Sequence, residues 1–207
     1  MKIHFFLLLI FTFILTNCSE NNTQNNTTHN NVTSTLFWIG EDASEDNTFI
    51  QNHSSAWDDN WENNYGGIDN PYDREHYTPS SFINKENSFY FALPYNDFDL
   101  EGHKKNIMKN QIDCKNRWVK ITKNNKSVYA QWEDVGPFGE DDYNYVFGLD
   151  KPKNKINNNA GIDLSPAVHD YLNLNDIDIV TWIFIDQKEV PPGPWLNIIT
   201  KSPINWI

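Results

Sequence analysis

Alternation of hydrophobic and polar residues is clearest in the second half of the chain. Two alternating runs, 117–122 and 127–134, are joined by the four residues Lys123-Asn124-Asn125-Lys126. Asparagine tolerates the positive φ angle that a tight hairpin turn needs. The pattern therefore predicts a β-hairpin over residues 117–134.

Three further apolar segments predict strands. Residues 88–93 form a short run that stops at Pro94, and residues 177–185 form a longer run. A third run, 36–40, is closed by glycine. Their lengths and their β-branched and aromatic residues are typical of strands that pack in a core.

One segment has clear helix signals. Ser165 is a good N-cap residue, and Pro166 suits the first helical position, which predicts a helix over 166–172. A single short helix among several strands favours a small closed β-barrel over a doubly wound sheet.

The N-terminal segment predicts export. Residues 1–17 begin with a positive charge at Lys2 and continue with an apolar run that is shorter than the roughly 20 residues of a membrane span. The following Leu15-Thr16-Asn17-Cys18 resembles the lipobox of bacterial lipoproteins, which implies that Cys18 becomes an acylated N-terminus. The alternative is an ordinary signal peptide with an incidental cysteine. We expect a protein of the cell envelope, anchored to a membrane through Cys18.

Two segments with different compositions lie between this signal and the predicted barrel. Residues 18–35 are rich in asparagine and threonine and are predicted to form a tether. Residues 36–87 are rich in aromatic and acidic residues and are predicted to form an irregular elaboration. Trp57 and Trp61, four residues apart, could share a helix face there. They could fill one end of the barrel or form a platform on which sugars stack.

Length, charge and cysteine content limit the possible functions. A chain of 207 residues suggests one domain, and a net charge of −12 makes nucleic acid an improbable partner. If Cys18 is lipidated, Cys114 is left as a buried thiol. The acidic residues between 58 and 69 lack the spacing of a calcium loop, so we expect no metal and no cofactor. We expect a monomer.

Two motifs carry candidate chemistry. In Trp132-Glu133-Asp134-Val135-Gly136-Pro137-Phe138, a carboxylate lies at a chain reversal after a strand. In Gly161-Ile162-Asp163-Leu164-Ser165-Pro166-Ala167, a carboxylate lies just before a helix start, which should favour its ionised form unless a glycan covers it. Each aspartate also has a structural interpretation, as a stabiliser of a turn or as an acceptor for backbone donors.

In this order, the motifs resemble the double-psi β-barrel of rare lipoprotein A, bacterial expansins and family-45 endoglucanases. The segments Gly136-Pro137-Phe138 and Ile162-Asp163-Leu164-Ser165 carry the resemblance, which covers roughly residues 88–190. It implies a mainly β fold, with a six-stranded double-psi barrel over 88–207 and one or two short helices.

The resemblance also implies functional residues. Asp134 matches the aspartate that rare lipoprotein A uses in cleaving glycan strands, and Asp163 matches the essential acid of expansins and family-45 enzymes. The chain departs from rare lipoprotein A at Val135, where that family has arginine. It departs again at Ala92-Leu93-Pro94, where the comparable segment has histidine.

Glycan in the cell wall is therefore the expected partner. Trp132, Phe138, Tyr143 and Tyr145 are the expected sugar-binding residues. A lytic transglycosylase needs little more than one protonated aspartate, because the sugar's own 6-hydroxyl attacks. The sequence leaves two functions open: a lytic enzyme and a non-catalytic glycan-binding module.

Overall fold

The computed structural model describes residues 27–45 and 47–205. The predicted signal segment and the lipidation site at Cys18 lie outside the described residues. Within the described part of the chain, no helix is long and apolar enough to cross a membrane.

The chain folds as a closed six-stranded β-barrel, as predicted. The strands are β1 His29–Leu36, β2 Arg74–Glu75, β3 Thr78–Pro79, β4 Tyr90–Leu93, β5 Trp118–Lys123, β6 Lys126–Val135, β7 Ile162–Leu164 and β8 Ile177–Ile185. The barrel order is β1-β7-β4-β6-β5-β8, and β2 and β3 form a separate ribbon. The pairs β1–β7 and β4–β6 are parallel, and the other barrel pairs are antiparallel. This mixed topology is compatible with a double-psi arrangement.

In the part of the chain that the structure describes, three short α-helices accompany the barrel, where one or two were expected. They are α1 Trp61–Tyr65, α2 Tyr143–Val146 and α3 Pro166–Leu172. The helix α3 has the predicted bounds. Ser165 occupies the N-cap position, but its hydroxyl does not cap the helix. It donates instead to the Ser88 carbonyl and accepts from the Tyr90 N–H, and so ties the start of α3 to β4.

The predicted hairpin and the last strand are confirmed. Strands β5 and β6 pair from Trp118 opposite Gln131 to Lys123 opposite Lys126, and Asn124 in the turn has a φ of 53°. The strand β8 spans the predicted residues 177–185. Local alternation and turn chemistry were sufficient signals for these elements.

The predicted tether boundary is wrong. Residues 29–35, assigned to the tether, belong to β1, which closes the barrel between β7 and β8. Val32 and Thr33 are buried, and the Thr33 hydroxyl donates to the Asn158 carbonyl. The polar side chains of this strand therefore find partners inside the fold. The strand predicted over 36–40 does not form, because the chain leaves the barrel after Leu36.

Aromatic side chains fill the barrel. Trp132 stacks on Phe91 with 6.0 Å between ring centroids, and Trp57 meets Trp132 edge-on. A second buried cluster joins the elaboration to the outside of β4: Phe37, Ile39, Trp61, Tyr65, Tyr90 and Ala92. Trp57 precedes α1, so it does not share a helix face with Trp61, and both indoles are fully buried. They fill the fold and offer no surface for sugar stacking.

The core also contains buried polar groups. Cys114 is a buried free thiol, as expected, and burial raises its pKa. Lys115 and Glu133 form a fully buried ion pair with an N–O distance of 2.7 Å. Burial raises the pKa of Glu133 to about 7, against the opposing effect of the Lys115 charge. Sequence reasoning did not detect this pair.

Candidate functional site

Asp134 and Asp163 are brought together across strand β4. Ala92 on β4 pairs with Asp134 on β6 and with Asp163 on β7. Two residues that are 29 positions apart in the chain thus occupy strands on either side of one small residue. The motifs that the sequence singled out separately therefore form one site.

An irregularity in β6 decides which way its side chains point. Phe91 pairs with Trp132 and Ala92 pairs with Asp134, so Glu133 is an extra residue in the ladder. A β-bulge of this kind re-aims the side chains around it. Trp132 lies in the core, whereas Asp134 reaches a groove at the surface.

The groove lies where β1, β6 and β7 end and has a volume of about 480 Å³. This is within the range typical of small-molecule sites. Its lining includes three chemical classes besides aliphatic side chains such as Ile50 and Ile177. Aromatic rings come from Phe37, Trp38, Tyr72 and Phe138, amides from Asn47, Asn52 and Asn157, and carboxyl groups from Glu41, Asp134, Asp163 and Asp176.

The Asp134 carboxyl group is nearly buried, with 8% of the residue exposed. Its Oδ1 atom accepts a hydrogen bond from the Ala56 N–H at 2.8 Å. Burial raises the pKa of Asp134 to about 7, and the hydrogen bond from Ala56 opposes that rise. A carboxyl group with this pKa can donate or accept a proton near neutral pH.

The Asp163 carboxyl group accepts a hydrogen bond from the Thr35 hydroxyl. Burial raises the pKa of Asp163 to about 8, the Thr35 hydrogen bond opposes this, and the charges of Asp134 and Glu41 raise it further. The expectation that the start of α3 would favour the ionised form is therefore wrong, because desolvation dominates. A Cβ atom at Gly136 would lie 2.9 Å from Asp163 Oδ2, so glycine leaves room for the carboxyl group there.

Glu41 is a third carboxyl group in the groove, and sequence reasoning missed it. It follows a turn at Gly40, which has a φ of 78°, and its Oε2 atom accepts from the Asn52 side-chain amide at 2.9 Å. Burial raises the pKa of Glu41. The glycine–glutamate step was the only local signal for this position, and such a step is common in loops.

The predicted sugar-binding residues divide into two groups. Phe138 lines the groove. Trp132 is fully buried, and its indole N–H donates to the Asp134 carbonyl oxygen at 2.7 Å. Tyr145 is also buried and donates to the Gly161 carbonyl, while Tyr143 packs on Tyr95 away from the groove lining.

Further aromatic surface of the groove comes from the N-terminal elaboration. Trp38 and Tyr72 line it, and Tyr72 is 88% exposed. The signal for Tyr72 was its place in Asn70-Pro71-Tyr72, because a large aromatic residue at a turn is poorly placed for the core.

The acidic residues of the elaboration have separate partners. Asp58 accepts from the Asn64 amide, Glu62 contacts His53, and Asp69 pairs with Arg74. Among the residues that the structure describes, one group has ligand atoms close enough together to hold a metal ion: Asp99, Glu101 and His103. That group is exposed and does not line the groove.

The chain has little similarity to known proteins. No family model matches the chain. No curated protein matches it either. Among solved structures, a Streptomyces papain inhibitor is similar at 14% identity with a TM-score of 0.33, over 77% of this chain and 96% of that one. A similarity at this level supports no statement about function.

Proposed function

We propose that the protein is a lipid-anchored protein of the cell envelope whose groove binds glycan strands and cleaves them by lytic transglycosylation. One observation carries the proposal: Asp134 and Asp163 flank Ala92 in one groove, and burial raises the pKa of both to about 7 and about 8. Glycosidic bonds are typically cleaved by a pair of carboxyl groups, of which the general acid has a raised pKa.

The rest of the lining suits a sugar chain. Pyranose rings present apolar faces that pack on aromatic rings, as Trp38, Tyr72 and Phe138 could provide. Their hydroxyl groups exchange hydrogen bonds with side-chain amides and carboxyl groups such as those of Asn52 and Glu41.

The two carboxyl groups would divide the proton transfers between them. One donates its proton to the glycosidic oxygen as the bond from C1 to that oxygen breaks. The sugar's own 6-hydroxyl oxygen bonds to C1, and its proton passes to the other carboxyl group, which is ionised. The product ends in a 1,6-anhydro ring, and no water is consumed. Proton exchange between the two carboxyl groups restores the starting state.

A second candidate function is a glycan-binding module without catalysis. In rare lipoprotein A the corresponding site uses a histidine in the segment that matches Ala92-Leu93-Pro94. Among the described residues that line this groove, none is histidine. The lack of a histidine there favours a module that binds glycan without cleaving it.

The test is incubation of the full-length protein with purified sacculi and with chitin, followed by mass analysis of released fragments. We expect fragments with 1,6-anhydro ends from the wild type. We expect Asp134→Asn to reduce their release by about 10²–10⁴-fold, the usual contribution of an acid or base, and to retain binding. Glu189→Gln, a change at an exposed residue after β8, is the matched control and should behave as wild type.

Each other outcome has a clear meaning. Binding without release of fragments supports the second candidate and refutes lytic activity. If the wild type neither binds nor cleaves either polymer, the glycan assignment fails altogether.

A further inference from the structure

The lining of the groove is acidic in composition. Four of its lining residues are acidic: Glu41, Asp134, Asp163 and Asp176. Among the described residues that line it, none is lysine, arginine or histidine. An anionic group entering the groove would find carboxyl groups and no cation to pair with.

We infer that the groove selects uncharged sugar residues over sugars that bear carboxylates, and that Glu41 is a specificity-determining residue for this choice. The inference rests on the proposed glycan-binding function and narrows its substrate class. It applies equally to a lytic enzyme and to a binding module.

Glu41 is well placed for this role because its carboxyl group is fixed. The side-chain amide of Asn52 donates to one of its oxygens, and both residues are buried at the edge of the groove. Glu41 also acts on Asp163 by charge, since it contributes to the raised pKa of that carboxyl group. A ligand carboxylate near Asp163 would experience the same repulsion.

The expected effect follows from Coulomb's law. In water-like surroundings, a ligand carboxylate about 6 Å from one groove carboxylate lowers the affinity of that ligand roughly threefold. The loss is larger where water is excluded. A ligand with several carboxylates against several groove carboxyl groups should therefore bind about tenfold or more weakly than an uncharged one.

Three hexasaccharide ligands distinguish an effect of ligand charge from an effect of ligand size. The first is the β-1,4-linked hexamer of N-acetylglucosamine, which is uncharged. The second is a peptide-free hexamer of a peptidoglycan strand, which bears a lactyl carboxylate on alternate sugars. The third is that strand with its carboxylates converted to methyl esters. Affinities for the full-length protein are measured by calorimetry at pH 8, in 50 mM and 500 mM NaCl.

We expect the uncharged hexamer and the methyl ester to bind about tenfold or more tightly than the free acid. High salt should tighten binding of the free acid alone, because it screens repulsion. Glu41→Gln keeps an acceptor for Asn52 and should reduce the discrimination several-fold, whereas Glu189→Gln should leave it unchanged. Asp176→Asn, a change at an exposed residue on the rim, provides a second variant if Glu41→Gln does not fold.

Several results would overturn the inference. Equal affinity for all three hexamers would do so, as would tighter binding of the free acid. If the methyl ester binds as weakly as the free acid, the size of the lactyl group, and not its charge, accounts for the discrimination. Unchanged discrimination in a folded Glu41→Gln variant would refute the role of Glu41. If no hexamer binds at all, the proposed function itself fails, which is a distinct result.

Discussion

Replacing Asp163 by asparagine should stabilise the protein at neutral pH. The carboxyl group has an ordinary pKa of 3.8, and burial raises it to about 8 in the folded protein. Between these two values the folded state holds a proton that the unfolded state has lost. The contribution of Asp163 to the free energy of unfolding therefore falls as pH rises from about 4 to about 8. Asparagine has no such titration and can still accept the hydrogen bond from Thr35.

The size of this stabilisation follows from the pKa shift of Asp163. Each pKa unit corresponds to about 1.4 kcal/mol, so full burial would give a limit of about 4 kcal/mol at pH 7. Asp163 lines a groove that water enters, which screens its charge and reduces the effect. We expect Asp163→Asn to be about 1–2 kcal/mol more stable than the wild type at pH 7. The two proteins should be nearly equal at pH 4.

Urea denaturation followed by tryptophan fluorescence measures this difference. Unfolding curves of the wild type, Asp163→Asn and the control Glu189→Gln are recorded at pH 4, 5.5, 7 and 8. The control should show no growing difference from the wild type. The reasoning is refuted if Asp163→Asn is less stable than the wild type at pH 7, or if their difference does not change with pH.

Three other changes probe separate features. Gly136→Ala places a methyl group against the Asp163 carboxyl group and should lower the release of glycan fragments at least tenfold. Circular dichroism should show an intact fold, and fragment release equal to that of the wild type would contradict this prediction. Lys115→Met leaves Glu133 buried without its partner and should cost about 3–5 kcal/mol in urea denaturation at pH 8, and a loss below 1 kcal/mol would contradict this. Cys18→Ala should abolish labelling by a fatty-acid analogue in cells, and equal labelling of both proteins would exclude lipidation at that residue.

Local sequence signals predicted the secondary-structure elements that are set by interactions between residues close together in the chain. The hairpin over residues 117–134 and the helix α3 are set by alternation, turn asparagines and Pro166, which all act within a few residues. The strand β1 could not be predicted in this way. Its threonine and serine side chains look solvent-exposed in sequence, but the Ser34 hydroxyl donates to the carbonyl of Asp178, which is 144 positions away.

The site was predicted only in part, for a similar reason. The motifs around Asp134 and Asp163 could be found by resemblance, because each is a short run of residues. Trp132 was assigned to the wrong surface because alternation fails at the bulge formed by Glu133. Glu41 and Tyr72 enter the groove from long loops, and no periodicity in the sequence indicates where such loops fold.

If Cys18 is acylated as proposed, the course of β1 limits how far the groove can lie from the membrane. The strand begins at His29, only 11 residues after Cys18, so an acyl anchor on Cys18 could be at most about 40 Å from it along a fully extended chain. Leu36, at the other end of the strand, lines the groove and lies roughly 23 Å from His29 along the strand axis. The start of β1 and the groove thus lie at opposite ends of this strand. A protein held in this way would reach polymer within about 60 Å of the bilayer.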